Sequence, residues 1–156
     1  MGGGPNLGAA LAFVRASGEG ADLAMLKFVQ GETLTDDELD ALTANQNPDG
    51  GFKVAELGSP SVVGRTAEMV IYLTALGGGD LGAVQAAADF LIEGQRPDGS
   101  WGESDALKGL NPPPHFQPGS SDADGWETAA CVVALSGLGL SLDYRHPIEF
   151  LRRMRT

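Results

Sequence analysis

Apolar residues along this chain recur mostly at helical spacing. Leu7, Ala10, Leu11 and Val14 fall at i, i+3, i+4 and i+7 and predict a first helix, which Gly18-Glu19-Gly20 ends. A second helix is expected over residues 21–30. Thr35-Asp36-Asp37-Glu38 has the Thr-x-x-Glu form of a capping box and opens a third helix, expected to run to about Gln46. Residues 61–76 are apolar on nearly every side, with Val62, Val63, Ala67, Met69, Val70, Ile71, Tyr72 and Leu73, and three glycines at 77–79 close that segment. Asp80 is then expected to cap a fifth helix carrying Leu81, Val84, Ala88 and Leu91 on one stripe. A sixth helix, over residues 125–138, is again apolar all round. Pro147 suits the first turn of a seventh, with Ile148, Leu151 and Met154 facing inward. No strand-like alternation of useful length occurs.

Amphipathic helices therefore alternate with helices that are apolar all round. A helix of the second kind must be covered on every side. Two concentric layers satisfy both kinds, with the apolar helices enclosed and the amphipathic ones half wet. The expected class is all-α, built from helical hairpins as a repeating unit.

The chain also repeats itself. Gln46-Asn47-Pro48-Asp49-Gly50-Gly51-Phe52 and Gln95-Arg96-Pro97-Asp98-Gly99-Ser100-Trp101 are copies of one motif. Each leads to a second shared signature, Gly64-Arg65-Thr66-Ala67 or Trp126-Glu127-Thr128-Ala129, and then to an apolar helix. The second copy has the longer loop between motif and signature. Phe13, Phe90 and Phe150 hold similar places in three helical stretches. Laid on Phe90, Phe150 puts Arg155 where Gln95 stands, so the sequence ends where a third motif is due.

Composition narrows the picture. The chain has 156 residues, enough for one domain over 1–156 with a real core. It carries 10 Lys and Arg against 21 Asp and Glu, a net charge of −11. Such a charge repels nucleic acid and anionic membranes at long range, and no nucleic-acid partner is expected. No apolar run approaches the roughly 18–20 residues of a membrane helix, so no stable membrane insertion is expected. Met1-Gly2-Gly3-Gly4-Pro5-Asn6 lacks the basic start of a signal peptide. Cys131 stands alone and cannot form an internal disulfide. A cytoplasmic location is expected.

The two QxPDGx(F/W) segments, each followed by Thr-Ala and an apolar helix, resemble the QW motifs of the squalene–hopene cyclase and protein prenyltransferase superfamily. The resemblance spans roughly residues 36–138. The proline-rich loop is similar to that of small bacterial members of the group. The resemblance implies an α/α toroid. About seven helices are counted here, near half of a closed double ring. A partial toroid, or two chains closing one barrel as a homodimer, is therefore expected. Within the motif, Pro presets φ at one turn position, Asp49 or Asp98 bonds its own backbone, and Gly supplies a positive φ. Gln46 and Gln95 can satisfy backbone groups of a neighbouring hairpin, while Phe52 and Trp101 bury their rings over that contact. In the family these residues tie helices together and perform no chemistry.

The resemblance implies two chemistries to look for. Proton-initiated cyclases of the group place a DxDD acid before Thr-Ala, and Asp122, Asp124 and Glu127 stand in that stretch. Aligned on Thr128-Ala129, the central acid falls on Trp126, so the motif is not intact. Asp124 and Glu127 also read as the N-cap and N3 of a capping box opening the sixth helix. Prenyltransferases use zinc held by Asp, Cys and His. Here Glu127 takes the histidine position, Cys131 lies on an apolar helix face, and His115 and His146 are far apart in sequence. No metal and no cofactor are expected. Arg145, Arg152, Arg153 and Arg155 form the one basic cluster, at a helix end where cations offset the dipole. Tyr72, Trp126 and Phe116 are the aromatics available to line a cavity.

Residues 104–121 carry Pro112, Pro113, Pro114 and Pro118 and are expected to form a structureless insertion serving as a lid, an arm or a plain surface loop. The expectation is a helical-repeat protein that binds an isoprenoid-like apolar ligand, with class II, proton-initiated chemistry if it is an enzyme. The alternatives are a self-associating structural module and a truncated class II terpene cyclase domain.

Overall fold

A computed structural model describes residues 8, 9, 12, 23, 26, 27 and 30–155. The chain separates into two compact units, Met1–Ala44 and Asn45–Thr156. The described residues are largely α-helical, with one very short antiparallel hairpin.

In the first unit, residues 8, 9, 12, 23, 26 and 27 are helical. The rest of the two helices predicted over 7–14 and 21–30 lies outside the described residues, apart from the turn at Gln30. Helix α1 spans Asp36–Leu42 and starts with the expected capping box. The Glu38 amide donates to Thr35 Oγ1 at 3.3 Å, and the Thr35 amide donates to Glu38 Oε2 at 2.8 Å. Glu38 also pairs with Lys27. The helix stops at Leu42, short of the expected Gln46. Asn45 and Gln46 are drawn into extended pairing instead: the Lys53 amide donates to Asn45 O at 3.0 Å, and Gln46 bridges Phe52.

The second unit begins with that pairing. Strand β1, Phe52–Lys53, pairs antiparallel with β2, Ser61–Val62, with Phe52 opposite Val62. Four helices follow: α2 Val63–Ala75, α3 Gly82–Glu93, α4 Ser121–Gly137 and α5 Arg145–Met154. Helix α2 packs against α3 and α4, and α5 packs against α4. This order repeats a hairpin of one inner and one outer helix. The core joins Phe52, Val62, Ala67, Val70 and Leu73 to Val84, Leu91, Trp101, Cys131 and Leu135, all buried.

Both motifs fold alike. In the first, the Gly51 amide donates to Asp49 Oδ1 at 2.9 Å. In the second, the Ser100 amide donates to Asp98 Oδ1 at 3.0 Å. Gly50 and Gly99 have φ of +89° and +87°, which L side chains rarely adopt. Each also presses its backbone against the next outer helix. A Cβ on Gly50 would strike the Ala86 carbonyl of α3, and one on Gly99 would lie 2.5 Å from His146 Cβ of α5. Gln46 Nε2 donates to Gly50 O at 3.0 Å and to Ala83 O of α3 at 2.7 Å. Gln95 Nε2 donates to Gly99 O at 3.1 Å, and among the described residues its side chain makes no bond to the next helix, so the expected tie between hairpins is made by Gln46 and not by Gln95. The aromatic residue is then held by the threonine of the second signature. The Phe52 amide donates to Thr66 Oγ1 at 2.8 Å, and the Trp101 amide to Thr128 Oγ1 at 3.0 Å. Trp101 Nε1 donates to Leu91 O at 2.6 Å.

Several expectations are corrected. The described residues form five complete α-helices, not seven, and no toroid. The helices that are apolar by sequence are not enclosed: Ile71 of α2 is 36% exposed, and Trp126 and Val133 of α4 are 38% and 55% exposed. Helix α3 is not capped by Asp80; its N-cap is Leu81, with no side-chain cap. Helix α4 starts at Ser121 rather than near Gly125, because Ser120 Oγ accepts from the Ala123 amide. Asp124 and Glu127 therefore sit inside the helix and form no capping box. Pro147 does occupy the first turn of α5 and is buried, but Ile148 and Met154 stay 39% and 38% exposed. Residues 104–121 are not structureless. They form 3-10 turns at Asp105–Leu107 and Pro114–Phe116, and Leu107 and Phe116 complete a core cluster with Leu57 and Val62.

Candidate functional site

The sequence Ser61-Val62-Val63-Gly64 offers α2 no capping side chain, and the N-cap Val62 supplies none. The first amides of a helix need an acceptor from elsewhere when they are buried. Glu103, two residues beyond the second motif, provides it. Its Oε2 accepts from the Val63 amide at 2.8 Å and its Oε1 from the Gly64 amide at 2.7 Å. A carboxylate here gains both charge-assisted hydrogen bonds and the favourable end of the helix dipole.

Asp124, Glu127 and Cys131 follow at i, i+3 and i+7 on one face of α4. Asp124 Oδ2 accepts from Arg96 Nη1 at 2.8 Å, while its Oδ1 is buried with no hydrogen-bond donor among the described residues. Glu127 is fully buried, and no donor among the described residues reaches either of its oxygens. Such a carboxyl is satisfied as an acid, donating its own proton to Glu103. Burial, then that hydrogen bond, then the negative charges of Glu103 and Asp124, push the Glu127 pKa up to about 11. Glu103 is also raised, chiefly by burial, but the proton from Glu127 and the two helix amides oppose the rise. The pair thus holds one proton on Glu127 and the charge on Glu103. Burial and these two acids push the Cys131 thiol upward as well, leaving it a neutral core side chain.

An aromatic cluster covers the same end of α2. His115 and Phe116 have ring centroids 4.1 Å apart, His115 and Trp126 5.2 Å, and Phe116 and Trp126 5.9 Å edge to face. Gly64 is what lets these rings close on the helix. A Cβ there would lie 2.6 Å from Phe116 Cε1 and 2.8 Å from Trp126 Cζ3.

The predicted site residues separate into groups. Asp122 is exposed in the first turn of α4, Asp124 is bound to Arg96, and Glu127 is buried against Glu103. Trp126 and Phe116 meet as expected. Tyr72, half-buried, lies about 12 Å further along α2 from Gly64, at 1.5 Å per residue. Sequence reasoning missed Glu103, Arg96 and Gly64. The available signal was the uncapped start of α2, which demanded an acceptor without naming it. Among the described residues, no three His, Cys, Asp or Glu side chains gather as a metal site, and no helix is long and apolar enough to cross a membrane. Neither a known protein family, nor a curated protein, nor a solved structure matches this chain.

Proposed function

We propose that this chain is a helical-repeat binding protein that holds an isoprenoid-like apolar ligand against the open face of α4. The observation that carries this reading is the stripe Trp126, Ala129, Ala130 and Val133 on α4. A helix that is apolar by sequence keeps this stripe partly or largely exposed, with Val133 at 55%. Apolar surface of this kind marks a place for a ligand or a partner. The lone buried thiol of Cys131 suits a reducing cytoplasm.

Binding is favoured over turnover. Protonating an alkene requires a strong acid, and Glu127, held near 11, is a weak one. Native mass spectrometry of the purified protein tests the reading: an apolar ligand should be retained, and Val133→Asp should release it while the helical circular dichroism is kept. Retention unchanged by Val133→Asp, or no uptake of farnesol by either protein, would overturn it. The second reading is a self-associating module that uses the same stripe. It predicts a dimer in solution that Val133→Asp splits, with no bound small molecule.

A further inference from the structure

The insertion in the second repeat builds a feature with no counterpart in the first. Its 3-10 turn, Pro114–Phe116, is anchored at both sides: Phe116 is buried in the core, and Gln117 Nε2 donates to Pro112 O at 2.6 Å. Held this way, His115 and Phe116 form one wall of an open cleft of about 460 Å³. Val54 and Ala55 add apolar surface, and the first turns of α2 supply Arg65 and Glu68. Lys53 and Glu56, from the segment that follows the first motif, and Asn45, just before it, complete the lining. The volume lies within the range of small-molecule sites.

The charges in this cleft are balanced and incompletely used. Arg65 and Glu68 face each other at a long 3.4 Å. Lys53 and Glu56 make no side-chain ion pair among the described residues. A greasy ligand would strand these groups, and a simple anion or cation would find as many repelling as attracting charges. A molecule carrying both charges close together uses each of them, and a flat apolar side group can lie on the aromatic wall. We infer that the cleft between the insertion and the start of α2 binds a zwitterionic, amino-acid-like small molecule with an aromatic side group. Its carboxylate faces Lys53 and Arg65, and its ammonium faces Glu56 and Glu68. The stripe on α4 adjoins this site through Trp126, whose ring packs against His115 and Phe116.

Titration of the full chain with L-phenylalanine, N-acetyl-phenylalanine and phenylalanine methyl ester, followed by ligand-observed NMR, tests the inference. L-phenylalanine is expected to bind, and blocking either charged end to weaken binding by about tenfold, a loss of about 1.4 kcal/mol. Lys53→Gln should abolish the preference over the methyl ester, and Glu56→Gln the preference over the N-acetyl form. Glu56 is exposed and Lys53 half-buried, and unchanged circular dichroism verifies folding. Equal binding of all three molecules would reduce the cleft to an aromatic surface and overturn the inference. Failure of L-phenylalanine to bind at millimolar concentration would overturn it too.

Discussion

Replacing Glu127 by Gln tests the central electrostatic claim. Above the ordinary glutamate value of 4.5, the unfolded chain releases this proton, while the native chain keeps it up to about 11. The folded pKa is raised, so stability is fullest below the ordinary value and falls as pH rises towards the folded one. One retained proton costs about 1.4 kcal/mol for each pH unit in that window, or roughly 4 kcal/mol between pH 5 and pH 8. Glutamine keeps a donor for the Glu103 carboxylate but has no proton to lose. Urea unfolding at pH 5, 6, 7 and 8 should therefore show the native protein losing stability much faster than Glu127→Gln. The two should converge at pH 5, and the variant should be the more stable at pH 8. Globular domains are stable by only about 5–15 kcal/mol, so the difference is readily measured. Parallel pH profiles for the two proteins would refute a proton held between these side chains.

Three further outcomes follow from the clasps and the insertion. Thr66→Val and Thr128→Val each strand a buried amide, of Phe52 or Trp101, and should each cost about 1–3 kcal/mol in urea unfolding. Gly50→Ala should destabilise more than Gly77→Ala: both glycines have a positive φ, but only Gly50 meets neighbouring backbone, so equal shifts in Tm would contradict the described contact with α3. Leu107→Ala should cost about 2–5 kcal/mol, because the side chain is fully buried; a loss near zero would mean that the insertion is not part of the core.

Local features of this fold were legible in the sequence because they depend on neighbours along the chain. The Thr35 capping box, the Pro-Asp-Gly turns and most of the stripe Leu81, Val84, Ala88 and Leu91 took their expected form, with Leu81 standing as the N-cap just outside the helix. Helix ends were less legible. Whether Gln46 continues α1 or pairs with Phe52 is decided by the hairpin, and Ser120 outcompetes Asp124 as a cap by starting α4 a turn earlier. The Glu103–Glu127 pair was invisible because it joins a loop residue to a helix residue 24 positions further on within the second repeat, while Glu103 also reaches across to the first repeat's helix. In sequence, Glu127 lay in the acidic stretch before Thr-Ala; only packing shows that α4 points it inward.

The borrowed cap on α2 also bears on how the chain is made. Glu103 lies 40 residues beyond the amide of Val63 that it serves. At a synthesis rate of about 5–20 residues per second, the first inner helix waits roughly 2–8 s for its terminal acceptor. During that interval it has the Phe52–Thr66 clasp but an unfinished beginning. A nascent chain arrested before Glu103 emerges should remain open to protease at residues 61–64. One arrested after α4 is out should be protected there, which makes the downstream repeat the element that licenses the upstream one to fold.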